Sequence, residues 1–456
     1  MNKEQRVVDN VETLEVMLRS EDELDPGEAQ ELKTLATSLP IRDVVAIVER
    51  CNPVRAALVL RLLPRRKAIE VFDAMDFVQQ ADVIDELGNA EVFEYFDALE
   101  PEDRVALLDE LPVEIADRLL RSLNKPDRDI TGVVLGYEKG SVGRRMSPEV
   151  PTLYPEMTAA AALAQLKETA QDLETIYTLP IVETDRRLVG VVSFREVFQA
   201  PDATPLGELM REAVYATATD DAEEVARWFL PLDLLALPIV DASGRLVGLL
   251  AWDDAMDIQE EADNEDTARA GGTNPLHQPY LSTPLMKLVK SRIVWLLVLA
   301  VSALLTVQVL SMFEHALAAA VVLSLFIPLL TGTGGNTGNQ AATTVTRALA
   351  VGDVRDRDLW GVLWRELRIG MMLGAVLGTL GFILATLVYD VKIGTVIGTT
   401  LFLVCTMSAS VGGLMPLVAK KVGADPAVFS NPFISTFCDA TGLIIYLLIA
   451  KSVLGI

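Results

Sequence analysis

Pro328-Leu329-Leu330-Thr331-Gly332-Thr333-Gly334-Gly335-Asn336-Thr337-Gly338-Asn339-Gln340 sits inside Ala316–Thr346, a run without a single charge. A run that long can span a bilayer as a helix. Its middle nevertheless holds a proline, four glycines and three amide side chains. Amides and freed carbonyls at membrane depth are costly unless protein or a water-filled path satisfies them. A kinked helix packed through small residues would explain the glycines. It would not explain Asn336, Asn339 and Gln340 together, so the stretch is expected to line a polar path with carbonyls freed near Gly334 and Gly335.

Four more apolar runs surround it, so five spans are expected: Ile293–Phe313, Ala316–Thr346, Ile369–Tyr389, Ile393–Ala419 and Pro426–Ala450. Lys287, Lys290 and Arg292 precede the first span. Arg347, Arg355, Arg357, Arg365 and Arg368 separate the second and third, and Lys420 and Lys421 follow the fourth. Basic loops stay on the cytoplasmic side. This predicts a plasma (inner) membrane protein with its amino terminus inside and its carboxyl terminus outside. The start, Met1-Asn2-Lys3-Glu4-Gln5, has no basic-then-apolar leader pattern, which fits a cytoplasmic amino-terminal part.

Asp439 is the only charged residue expected inside a span. A carboxylate at that depth is rare unless it faces a cavity, a partner or an ion. Ser435 and Asn431 precede it by four and eight residues, on the same helical face. With Asn339 they offer only oxygen and amide groups, a set suited to a hard cation such as Mg²⁺. The alternative is a protonated Asp439 hydrogen-bonded inside the bundle.

The rest of the chain is soluble in character and strongly acidic. Of the net −25, residues 1–280 carry −29 and residues 281–456 carry +4. No basic face exists to neutralise phosphates, so nucleic acid is not an expected partner. Three cysteines and two histidines give neither a disulfide framework nor a usual zinc site. No Walker-type loop or nucleophile–base set appears, so no enzyme is expected.

Residues 25–135 read as short amphipathic helices, for example Pro53–Leu62, Arg66–Asp73, Ala81–Leu87 and Arg104–Leu111. Pro64, Pro101 and Pro112 mark their joints, and a solenoid-like stack is expected. An internal repeat follows. Leu179-Pro180-Ile181-Val182 and Leu188-Val189-Gly190-Val191-Val192 return as Leu237-Pro238-Ile239-Val240 and Leu246-Val247-Gly248-Leu249-Leu250. This repeat resembles a tandem pair of CBS domains. Such pairs bind adenine nucleotides or metal ions, or serve as structure alone. The resemblance implies a cofactor-binding position for a nucleotide such as ATP at Tyr177 and Arg195, within Glu174–Tyr177 and Ser193–Glu196. Between the repeat and the first span come Asp253, Asp254, Asp257, Glu260, Glu261, Asp263, Glu265 and Asp266, eight acids in fourteen residues. On a helix these repel one another, which a solvated linker tolerates and facing divalent cations relieve.

The whole arrangement, with Gly334–Gln340 and Ser430-Asn431-Pro432…Asp439-Ala440-Thr441-Gly442-Leu443, resembles the MgtE family of bacterial magnesium channels. The expected architecture is multi-domain. An all-α superhelical amino-terminal domain (25–135, after a tail at 1–24) is followed by an α/β tandem CBS pair (136–202 and 203–260). An acidic connecting, or plug, helix (261–284) then leads to an α-helical transmembrane domain with five spans (285–456). The resemblance implies a homodimer in the lipid bilayer, with paired Asp439 holding hydrated Mg²⁺ and with Asn339, Asn431, Gly335 and Ser435 shaping that pore site. It also implies regulatory Mg²⁺ ligands at Glu70, Glu102, Gly143, Asp221, Glu223, Asp233, Asp254, Asp257, Glu265, Asp266 and Asp425. Ala262 departs from that pattern, and Glu261 and Asp263 flank it. The expected function is Mg²⁺ uptake through a channel closed by cytoplasmic Mg²⁺. A cation-coupled carrier of Mg²⁺, Mn²⁺ or Co²⁺ and a non-transporting Mg²⁺ sensor are the alternatives.

Overall fold

A computed structural model describes residues 10–11, 13–14, 16–18, 25–170, 173–276, 280, 283–422 and 431–455, without the side chains of Pro26, Asp356 and Asn431. The chain divides into two compact units. One holds residues 1–262 and 276–283, the other residues 263–275 and 284–456.

The first unit begins with helices α1 (Pro26–Ser38), α2 (Ile41–Val48), α3 (Pro53–Leu62), α4 (Arg65–Asp73), α5 (Phe77–Ile84), α6 (Asn89–Ala98), α7 (Pro101–Glu110), α8 (Val113–Ser122) and α9 (Lys125–Leu135). Their ends are written in the sequence. Asn52 accepts from Arg55 N at 2.9 Å ahead of Pro53, and Asn124 accepts from Asp127 N at 3.0 Å. Each helix packs on the next but one, α1 on α3 and α2 on α4 through to α7 on α9. Two rows therefore enclose one apolar seam, with Phe72 and Tyr95 rings 5.1 Å apart, and the expected stack is the observed one. The helix expected at Ala81–Leu87 starts earlier, at Phe77, because Asp76 caps it by accepting from Val78 N at 2.9 Å.

Val142–Arg144 opens the repeat, and Arg144 ties it to the helical module. The guanidinium donates to both carboxylate oxygens of Asp109 on α7, at 2.7 and 3.2 Å, with its side chain 10% exposed. The first copy contributes α10 (Ala159–Thr169), β1 (Thr178–Val182), β2 (Leu188–Ser193) and α11 (Phe194–Gln199). The second contributes α12 (Leu206–Leu209), β3 (Ala216–Thr217), α13 (Ala222–Phe229), β4 (Ala236–Val240) and β5 (Leu246–Ala251). Thr178 faces Ser193 across the first hairpin as Ala236 faces Ala251 across the second. The register slips at matching points, between Ile181 and Val182 and between Ile239 and Val240. The lead-in strands are exchanged. Ser147 of the first copy bridges Leu249 of the second, while Arg211 of the second bridges Val191 of the first. This explains the repeated glycines. A Cβ on Gly248 would lie 2.6 Å from Ser147 O, and one on Gly190 would lie 2.7 Å from Arg211 O.

After β5, α14 (Trp252–Ala270) carries the acidic run. The second unit then holds α15 (Leu285–Met312), α16 (Glu314–Ala319), α17 (Val322–Ala350), α18 (Leu359–Val388), α19 (Val391–Lys421) and α20 (Asn431–Leu454). Four of these, α15, α18, α19 and α20, are long and apolar enough to cross a membrane. The fifth long helix, α17, is diluted by Gly, Thr and Asn but packs against α19 and α20. The expected run Ala316–Thr346 is in fact two helices, parted at Ala320, whose φ of −139° and ψ of 78° leave the helical region. α17 then continues through Pro328 and the glycines. No break frees carbonyls at Gly334 and Gly335, contrary to expectation, because the helical ladder uses them. Asp439 is also not alone. α18 starts ten residues before the expected span, and its Glu366 is 7% exposed.

Small residues set the spacing of these helices. A Cβ on Gly374 would sit 2.6 Å from Phe402 O, and one on Gly378 would sit 2.6 Å from Gly398 O. Gly378→Val should therefore destabilise the detergent-solubilised protein by about 1–3 kcal/mol in thermal unfolding followed by circular dichroism. Gly361→Ala, with no atom within 4 Å of the new methyl group, should not destabilise it.

Candidate metal sites

In the second unit, α17 and α20 bring together four of the expected pore residues. Asn339 Nδ2 donates to Ser435 Oγ at 2.9 Å, which fixes the amide and leaves Asn339 Oδ1 buried without a partner among the described residues. A Cβ on Gly335 would lie 3.6 Å from Ser435 Oγ and 3.8 Å from Asp439 Oδ1. The missing side chain thus keeps the space in front of the carboxylate open. The result is one carboxylate, one hydroxyl and one amide oxygen on facing helices, a donor set for a hard, partly hydrated cation. Asn431 opens α20, its side chain outside the described residues, and Asp425 lies outside them altogether.

The first unit holds a second concentration of oxygens. Glu100 stands at the N-cap position of α7 without a side-chain capping bond, and Glu102 and Asp103 occupy its first turn. Glu102 is 6% exposed, and neither of its carboxylate oxygens has a hydrogen-bond partner among the described residues. Glu100, Glu102 and Glu174 each offer an oxygen within 4.8 Å of the others. Two opposed ligands of Mg²⁺ stand about 4.2 Å apart, so these three need little movement to meet one ion. Asp254 adds a buried oxygen without a partner. Burial, then repulsion from Asp254, Glu100 and Asp103, pushes Glu102 up to about 9. Glu100, although its side chain reaches solvent, is pushed up to about 8 by burial of its carboxyl and by Glu174. Burial with neighbouring acids raises Asp103 and Asp254 to about 7 each. Burial also raises Asp73, Glu174 and Asp257, while Arg145 works against the rise at Asp257. Arg145, shared with Glu261, is too little countercharge for this many carboxylates, and a divalent cation fits them.

Profiles of known families match three parts of the chain. They are a divalent cation transporter, MgtE, at residues 327–449, an MgtE intracellular N domain at 39–140 and a CBS domain at 140–202. The magnesium transporter MgtE of Thermus thermophilus is 38% identical over 322 residues, covering 70% of this chain and 71% of that one. The magnesium transporter MgtE of Enterococcus faecalis is 32% identical over 320 residues, covering 70% of each. This chain belongs to the MgtE family. A solved cytosolic domain of the Mg²⁺ channel MgtE in complex with ATP overlays with a TM-score of 0.49 at 30% identity, covering 55% of this chain and 99% of that one.

Of the regulatory ligands expected for an MgtE member, the structure gathers Glu102, Asp254 and Asp257. Most of the other described ones have local roles. Glu70 pairs with Arg66 of its own helix at 2.9 Å. Glu223 pairs with Arg227, and Glu265 pairs with Arg269, each one turn along. Asp221 caps α13 by accepting from Glu224 N at 2.9 Å, and Asp233 takes a left-handed φ of 54° after a short turn. Gly143 is a packing residue as well, since a Cβ there would meet the Tyr137 ring at 2.6 Å. Asp266 lies on α14 beyond the cluster. Tyr177 and Arg195 sit together at one end of the β1–β2 hairpin, where Phe194 N donates to Tyr177 O at 3.1 Å, and both side chains are exposed. Sequence reasoning missed Asp73, Glu100 and Asp103, and placed Glu174 only within a segment where CBS pairs bind nucleotides or metal ions. Three acids in four residues at the start of α7 were the available signal, and they read equally well as helix-dipole partners.

The raised values set a direction for stability. An acid whose folded pKa lies above its unfolded value stabilises the fold fully below about pH 4, and that contribution is lost as pH rises through 7 to 9. In EDTA, the melting temperature of the full-length protein should fall from pH 6 to pH 9.5. Mg²⁺ should restore it more at the alkaline end, and Glu102→Gln should flatten both responses.

Proposed function

We propose that this MgtE family member is a Mg²⁺ channel of the plasma (inner) membrane. The supporting observation is the oxygen set of Gly335, Asn339, Ser435 and Asp439 between α17 and α20. In a homodimer with its amino terminus in the cytoplasm, Asp439 from each subunit faces a shared path. Its carboxylate attracts hydrated Mg²⁺, Asn339 and Ser435 orient that hydration, and Asn431 extends the same helical face. A divalent ion gains about 4.6 kcal/mol crossing 100 mV, so inward flux needs no coupled reaction.

Gating is assigned to the acidic cluster. Glu100, Glu102, Glu174 and Asp254 would hold a regulatory Mg²⁺, which supplies the countercharge they lack. Without it, their repulsion disfavours the compact arrangement of helical module, CBS pair and α14. Compaction is passed along α14, which bears Asp254 and Asp257 and continues to Ala270, favouring a closed path. The exposed ring of Tyr177 and guanidinium of Arg195 suit the base and phosphates of ATP as a further regulator.

Asp439→Ala should abolish Mg²⁺ current in reconstituted protein, and Asn339→Ala should weaken Mg²⁺ binding in the path by about 10–100-fold. Current should persist under a clamped potential with no proton or sodium gradient. Absence of current there identifies a coupled carrier, and Mg²⁺ binding without any flux identifies a sensor. In excised patches, raising cytoplasmic Mg²⁺ should close the wild-type protein. Glu102→Gln with Asp254→Asn should move the closing concentration upward by about 5–150-fold, the range of ordinary allosteric coupling. Current indifferent to cytoplasmic Mg²⁺ would overturn the gating assignment.

A further inference from the structure

Neither metal site uses an apolar groove on the second unit. It measures 670 Å³ and runs between Trp360, Leu363, Trp364 and Leu367 of α18 and Leu403 and Met407 of α19. The spacing of the four α18 residues puts them on one stripe. Trp360 is 76% exposed and Trp364 is 58% exposed, so packing within the chain leaves both indoles uncovered. The rim of the groove is cationic. The Arg368 guanidinium carbon stands 5.9 Å from the Trp364 ring, and Arg368 Nε donates to Trp364 O at 3.3 Å. That stacking and hydrogen bond hold the charge beside the groove. Arg365, one residue beyond Trp364, is exposed as well. Among the described residues, neither arginine meets a carboxylate at ion-pair distance.

Exposed indoles and guanidinium groups at one end of an apolar helix mark the depth of lipid headgroups. We infer that this groove binds a phospholipid with an anionic headgroup, one acyl chain lying along the Trp360–Leu367 stripe and the phosphate against Arg365 and Arg368. Charge decides the occupant. A helix from a second copy seated here would press two unpaired guanidinium groups against hydrocarbon, whereas an anionic headgroup supplies their partner. The inference requires only that these helices cross a membrane, and it is independent of what passes between α17 and α20.

The test uses full-length protein in phosphatidylcholine vesicles containing rising fractions of dibrominated phosphatidylglycerol or dibrominated phosphatidylcholine. Tryptophan fluorescence, read in a W295F background that removes the indole of the span α15, reports contact with the bromine atoms. Half-quenching should need an at least about five-fold lower fraction of the anionic lipid, the factor set by one basic residue at a membrane surface. R365Q/R368Q should erase that preference, Arg368→Lys should keep most of it, and W360F/W364F should remove the lipid-sensitive signal. Equal quenching of the wild-type protein by both lipids would reduce the groove to ordinary boundary contact and overturn the inference. Quenching of Trp360 and Trp364 by neither lipid would mean that a second copy covers the groove, and would overturn it too.

Discussion

A carboxylate taken out of bulk water with no cation beside it raises its own free energy and that of every like charge nearby. Much of this chain's chemistry follows from that constraint. In the first unit it operates at the starts of α7 and α14, where Glu102, Asp103, Asp253 and Asp254 occupy first turns. The positive end of a helix favours such acids by about 0.3–1 kcal/mol. That is too little here, since Glu102 is still pushed up to about 9 by burial and by its neighbours. Burial and repulsion win, and the cluster is held in tension that protons or metal ions relieve.

The two oxygen sites differ in a way that suits two tasks. In the membrane unit, Asp439 shares the space at Gly335 with the neutral hydroxyl of Ser435, which accepts from Asn339. A path of this kind must attract an ion and then release it, and one carboxylate per chain keeps the attraction moderate. The cluster in the first unit gathers many carboxylates and little positive charge, with Arg145 partly engaged by Glu261 at 3.1 Å. On the proposed reading, strong self-repulsion makes such a site a poor conduit but a sensitive switch, because a bound cation would offset it.

Much of the architecture was legible because it rests on local rules. Asn52-Pro53 and Asn124-Lys125-Pro126 announced helix starts, and the repeated Leu-Pro-Ile-Val and Leu-Val-Gly segments announced two matching hairpins. The grouping of Gly335, Asn339, Ser435 and Asp439 was legible too, since a carboxylate in an apolar run has few structural explanations. The acidic cluster was only half legible. Asp254 and Asp257 stood in a visible charge run, but their meeting with Asp73, Glu100, Asp103 and Glu174 depends on packing between distant segments. No spacing within one stretch encodes that. Glu366 was missed because hydropathy starts the third span at Ile369, whereas the helix that buries it starts at Leu359.

α17 shows why hydropathy alone understates this membrane unit. Its Gly, Thr and Asn content keeps it below the apolarity of its neighbours, yet those residues are what its neighbours require. A Cβ on Gly334 would lie 2.7 Å from Val404 Cγ1, and one on Gly338 would lie 2.7 Å from Ile434 Cγ2, so α19 and α20 can close only on glycine. Thr331, Thr333 and Thr337 turn their hydroxyls back onto carbonyls four residues earlier and so hide their polarity inside the helix. Asn336 and Gln340 stay exposed on an adjacent face, while Gly335 and Asn339 meet Ser435 and Asp439. The composition that disqualifies α17 as an ordinary span is therefore the condition for a helix that packs closely between two others while keeping an oxygen-lined space beside Asp439.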